Sequence, residues 1–169
     1  MKKIINELRY FNKNFPREAL KDAVNMEEEI TPILLDELDK IIACPEIATE
    51  NQDYIHASYL LAQFRKKEAF GRIIDLISFT PDEVELLFGD LIIDDLPSIL
   101  YSTYDGHLDL LKGVIENPLL NIYARGAALD VYGKLYSDGI VNKEECINYL
   151  RELIYDNQYD VDSDIATDI

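Results

Sequence analysis

Apolar residues recur along this chain at spacings of three and four, and the alternation of a half-buried strand is hard to find. The pattern predicts an all-helical protein. "REALKDAVN", from Arg17, places Ala19, Leu20, Ala23 and Val24 on one face, with Pro16 at the helix start, where its missing N–H is harmless. "TPILLDELDKIIA" reads as a second helix capped by Thr31, with Pro32 in its first position and Pro45 beyond its end. Its stripe is Leu34, Leu35, Leu38, Ile41 and Ile42. "DYIHASYLLAQF" follows from Asp53, with Ile55, Tyr59, Leu60 and Phe64 inward. After a few basic residues "KEAFGRIIDLISF" presents Phe70, Ile73, Ile74 and Ile77, so these two segments are expected to form an antiparallel hairpin.

The second half carries sharper punctuation. Thr80, Pro81 and Glu83 spell a capping box at the head of "TPDEVELLFGD", which Gly89 closes. Pro97 forbids one helix through "DLIIDDLPSILYSTY", so a break is expected at Asp94 or Asp95. Asp95 is expected to cap the helix beyond the break, with Leu96, Ile99, Leu100 and Thr103 inward. "HLDLLKGVIEN" runs to Asn117-Pro118, and "IYARGAALDVYGKLY" sets small residues where another helix can approach closely. Asp138-Gly139 is a turn, and Asn142 with Glu145 makes a second capping pair before "ECINYLRELIY". Helices joined by short turns read as HEAT-like helical-hairpin repeats, a short α-solenoid or compact helical array over residues 1–155, with pairs beginning near Asp53, Thr80 and His107. Residues 156–169 lack a regular apolar face and are expected to be a flexible acidic tail.

Charge narrows the partners. The 169 residues hold 33 acids against 16 bases, a net −17; without the last fourteen residues the balance is still 28 to 16. Such a field repels nucleic acid and anionic lipid, and the one basic run, "RKK" at Arg65 to Lys67, reads as a solvated turn. No apolar stretch is long enough for a bilayer, and Asn6, Glu7 and Arg9 interrupt the N-terminal run, so a cytoplasmic protein with no membrane role is expected. Cys44 and Cys146 stand far apart and read as small buried residues.

"PREAL…EEITPILLDEL", "YIHASYLLAQFRKKEAFGRIIDLIS", "FGDLIIDDLPSILYSTYDG" and "YARGAALDVYGKLYSDGIVNKEE" together resemble the DUF1186 family, bacterial proteins of unassigned function. The resemblance runs from Pro16 to Leu153 and implies HEAT-like helical repeats. It supplies no catalytic residues. Some members continue into a cysteine- and histidine-rich metal-binding module of the SEC-C type, whose cysteines this sequence does not hold, so no zinc-dependent role carries over.

From Ile73 to Leu111 there are nine acidic residues and no lysine or arginine. Asp90, Asp94, Asp95, Asp105 and His107, with Tyr101 and Tyr104 three apart beside them, form the candidate binding surface, and Arg125 on the small-residue helix is expected to support Asp90 or pair internally. Carboxylates and tyrosine rings together suit a basic peptide or protein, so the leading reading is a non-catalytic scaffold with no cofactor. The rival reading is a metal-assisted hydrolase or small-cation pocket using Asp90, Asp94, Asp105 and His107, with Asp105, His107 and Asp109 as possible ligands. Asp105-Gly106 is equally turn chemistry, Asp109 suits a helix N-terminus, and His56 reads as a packed histidine without a nucleophile beside it.

Overall fold

A computed structural model describes residues 16–49 and 53–155, together with Ile4 and Glu7. In chain order the helices are α1 (Arg17–Asn25), α2 (Glu27–Ala43), α3 (Asp53–Gln63), α4 (Phe70–Ile77), α5 (Pro81–Phe88), α6 (Leu91–Asp94), α7 (Leu96–Thr103), α8 (Leu108–Glu116), α9 (Ile122–Ser137) and α10 (Lys143–Tyr155). Short 3-10 turns lie at Pro45–Thr49 and Lys67–Ala69, and no strand occurs among the described residues. None of these helices is long and apolar enough to cross a membrane. The acidic tail lies outside the described residues.

The helices pack as two rows. One row runs α2, α4, α8 and the other α3, α7, α9, each helix resting on its neighbour in the row. Between the rows α2 faces α3, α4 faces α7 and α8 faces α9, an arrangement consistent with a solenoid. The paired units therefore begin at Glu27, Phe70 and Leu108: the third starts beside His107 as expected, whereas the first two do not start near Asp53 and Thr80. The expected α3–α4 hairpin gives way for the same reason: α3 packs chiefly on α2 and α7. The short connection fixes chain reversal, but not which helix covers which stripe. Helices α5 and α6 are an insert between the two members of the second pair; α5 lies against the Pro45–Thr49 turn and α6 against α7 and α9. Finally α10 covers α8 and α9, where the Tyr149 ring sits 4.7 Å from Tyr132 with the Lys112 ammonium over both rings.

Several starts and stops follow the local rules. The Thr80 hydroxyl accepts from the Glu83 N–H while the Glu83 carboxylate accepts from the Thr80 N–H, completing the capping box. Asn142 accepts from the Glu145 N–H at 2.9 Å. The chain breaks between Asp94 and Leu96, as Pro97 requires. Elsewhere packing overrides them. Helix α2 begins at Glu27, a full turn before Thr31, so Pro32 lies inside it. Fully burying Ile30 gains roughly 2 kcal/mol, and three glutamates at the N-terminus suit the helix dipole. Thr31 caps nothing and donates back to the Glu27 carbonyl oxygen. In α3 the buried apolar residues are Tyr54, Ala57, Leu60 and Leu61, whereas Tyr59 is exposed and Ile55 and, just past the helix end, Phe64 are half-buried. Val24 of α1 is likewise exposed, and Cys44 is half-buried with its thiol on Glu46, against Cys146, which is buried.

The end of α3 shows why a local rule can bend. Lys66 N–H bonds to the Leu61 carbonyl and Arg65 N–H to that of Ala62, the double closure of a Schellman motif. The left-handed position, usually glycine, is Arg65 at φ 54°. The end of α9 repeats the pair of bonds from Ile140 to Leu135 and Gly139 to Tyr136, there with Gly139 at φ 76°.

Candidate acidic tyrosine surface

The candidate residues fall into separate neighbourhoods. In the first, Tyr59 of α3 donates its hydroxyl to Asp95 Oδ2 at 2.5 Å. Asp95 holds the cap position of α7 but makes no side-chain cap bond, because its carboxylate is turned to the tyrosine; this corrects the expectation that it caps. Burial raises the Tyr59 hydroxyl well above the ordinary tyrosine pKa, and the bond to Asp95 with the charges of Asp95 and Asp94 raises it further. Tyr59 was expected in the core. Nothing local announces a partner thirty-six positions away; the signal lay only in a tyrosine at the edge of an apolar stripe.

The second neighbourhood is Tyr101 of α7, which donates to Asp138 Oδ2 at 2.5 Å after the end of α9. Lys134 pairs with the other Asp138 oxygen at 2.8 Å and stands over the Tyr101 ring. The bond to Asp138 is the first cause that lifts the Tyr101 pKa, and Lys134 with Tyr101 lowers that of Asp138. Tyr101 thus serves an aspartate with its own cation.

Tyr104 belongs to a third. It follows the last residue of α7, packs edge-on against Phe70 at 5.4 Å, and titrates higher through burial and then the charges of Asp105, Asp109 and Glu145. Beside it Asp105 folds onto its own turn. Its Oδ1 accepts the His107 backbone N–H at 3.0 Å and its Oδ2 meets the His107 Nδ1 at 2.9 Å, which raises the imidazole pKa. Among the described residues no three histidine, cysteine, aspartate or glutamate side chains come together as a metal would need. The triple of Asp105, His107 and Asp109 is therefore not a ligand set: the turn closes on itself.

Arg125 is buried on α9, with Nε donating to the Ile115 carbonyl oxygen at 3.1 Å, where it ties α9 to the end of α8. Asp90 is exposed at the turn before α6, an element that itself packs on α9. Asn121, not foreseen, caps α9 by accepting from Tyr123 and Ala124 N–H groups, and its Nδ2 reaches the Pro81 carbonyl oxygen at 3.4 Å.

Charge is compensated unevenly. Lys66 bridges Glu27 and Glu28, Lys40 bridges Asp36 and Glu37, and Arg72 grips Asp39 with two nitrogens at 2.7 and 3.0 Å. By contrast Asp82, Glu83, Glu85, Asp90, Asp94 and Asp95 enter none of the ion pairs among the described residues. All six sit on the α5–α6 insert or at its junction with α7. The insert also exposes Leu86, 62% accessible, and Ile93, 60% accessible.

Comparison with known proteins gives a family and adds no chemistry. The family described as "Protein of unknown function (DUF1186)" matches residues 1–168. An uncharacterized protein of Chlamydia trachomatis is 36% identical over 154 residues, which span 89% of this chain and 61% of the relative. One from Chlamydia muridarum is 35% identical over the same shares. The chain thus spans about three fifths of the length of the curated relatives it matches. No solved structure matches it.

Proposed function

The chain belongs to the DUF1186 family, and we propose that it acts there as a non-catalytic binding module whose acidic α5–α6 insert, with Tyr59 beside Asp94 and Asp95, engages a basic peptide or protein. The observation that carries this reading is the contrast in compensation: five of the six acids on α2 meet lysine or arginine, while the six on and beside the insert meet none among the described residues. A basic partner supplies the missing cations. Leu86 and Ile93 offer apolar contact among the carboxylates, and the half-exposed Tyr59 ring, its hydroxyl held by Asp95, leaves an aromatic face for a cation.

The test is titration of the purified chain with a lysine- and arginine-rich amphipathic peptide and with its acidic counterpart, followed by fluorescence anisotropy. The basic peptide alone is expected to bind, with affinity falling as salt rises. Joint substitution of Asp90, Asp94 and Glu85 by lysine is expected to abolish binding with helicity unchanged. Equal binding of both peptides, or full affinity in the triple variant, refutes the assignment.

A further inference from the structure

A second surface stands apart from the acidic insert. Helix α10 buries Cys146, Tyr149 and Leu153 against the stack and turns its other side outward. Between the buried line and the polar side that carries Glu144, Asn148 and Arg151, it exposes Ile147 and Leu150, each 37% accessible, and Ile154, 71%. With Lys143 these residues step by four, three and four, the seam spacing of a helix meant to meet another helix. A shallow groove along this side is lined by Lys143, Glu144, Ile147, Asn148 and Arg151. Glu144 and Arg151, opposite in sign and seven residues apart, flank the seam, and neither enters an ion pair among the described residues.

We infer that this face is a self-association surface: a second copy of this chain lays its α10 antiparallel on the first, about a two-fold axis between Ile147 and Leu150. The charge pattern selects this occupant. In that register each Ile147 meets the other copy's Leu150, and each Ile154 meets the stem of the other Lys143, whose ammonium reaches water past the apolar contact. Flanking the seam, each Glu144 faces the other copy's Arg151, so both unpaired charges are answered twice by one symmetric contact. A parallel pairing would set Arg151 beside the other copy's Cys146 and leave both charges unanswered. Helix α10 has thirteen residues, a length of about 20 Å, so the contact lies at the small end of specific interfaces and the dimer is concentration-dependent.

Sedimentation velocity over a concentration series of the full chain tests the inference, with Glu144→Arg and Arg151→Glu made separately and their helicity checked by circular dichroism. The unaltered chain is expected to dimerise reversibly. Each variant sets two like-charged pairs across the seam and is expected to raise the dissociation constant about tenfold. An equimolar mixture of the two variants restores opposite charges on both sides, so it is expected to dimerise with near-original affinity. Since both variants must be folded for the mixture to work, that rescue excludes a loss through misfolding. A full chain that stays monomeric up to its solubility limit, its α10 face then being covered by the chain's own remaining residues or by another protein, overturns the inference. So does a mixture no tighter than its components.

Discussion

Replacing Tyr54 by phenylalanine tests how the insert is tied to the stack. Tyr54 is 2% exposed on α3, and its hydroxyl donates to the Leu87 carbonyl oxygen at 2.5 Å. Leu87 lies in the last turn of α5, where carbonyls have no partner within the helix. Phenylalanine keeps the ring and its edge-on contact with Phe88, so the change isolates one hydrogen bond. Losing a neutral bond costs roughly 1 kcal/mol, and stranding a buried carbonyl raises this towards 2 kcal/mol. At neutral pH the midpoint temperature is therefore expected to fall by about 3–6 °C. The difference should then shrink in alkali. Burial pushes the Tyr54 hydroxyl up to about 12, while the unfolded chain releases that proton near the ordinary value of about 10. Stability from this group is complete below the unfolded value and is lost as pH rises through the window between the two. The loss over two pH units amounts to about 2–3 kcal/mol, comparable to the bond, and the variant escapes it. Urea unfolding of both proteins at pH 7, 10 and 11, followed by circular dichroism, reads the difference directly. A variant as stable as the parent at pH 7, or a gap that stays constant into alkali, refutes the reasoning.

Two further substitutions probe single positions. Arg65→Gly relieves the left-handed backbone at the end of α3 and is expected to stabilise the protein by about 1 kcal/mol in thermal unfolding, whereas Gly139→Ala at the equivalent place after α9 is expected to destabilise it. Asp105→Asn removes the charge that holds His107 above its ordinary pKa, so the imidazole midpoint followed by NMR is expected to drop, with added magnesium or calcium shifting neither protein's titration.

What could be foreseen was whatever a few neighbouring residues decide. Thr80 and Glu83 complete one another within a single turn, and Pro97 forbids a continuous helix without help from elsewhere, so both are legible from the letters. The inner face of α3 was not. Tyr54, Ile55, Ala57, Tyr59, Leu60, Leu61, Ala62 and Phe64 put apolar atoms on nearly every side of that helix, and periodicity cannot rank them. Its neighbours α2 and α7 choose Tyr54 and Leu61, which turns Tyr59 outward to Asp95. The candidate site was legible to the same extent. A run without cations marked the acidic insert, but Tyr101 and Tyr104, neighbours on paper, separate because α7 ends between them and each answers to a different element.

The insert's position between α4 and α7 explains how such charge is tolerated. Each stacked helix is held on two or more sides, and on α2 five of the six acids are matched with Lys66, Lys40 and Arg72. Helices α5 and α6 instead anchor one side only, through Val84, Leu87, Phe88 and Ile92, and the Tyr54 bond ends α5 against the stack. Their outer side lies off both rows, where carboxylates keep their water and repel one another weakly. Changing Asp82, Glu85, Asp90 or Asp94 should accordingly alter stability by no more than about 0.5 kcal/mol apiece, while changing Leu87 or Tyr54 loosens the whole insert. The unpaired carboxylates and the packing residues thus rest on opposite sides of the same two short helices, so a loss of the proposed binding and a loss of stability can be told apart in this protein.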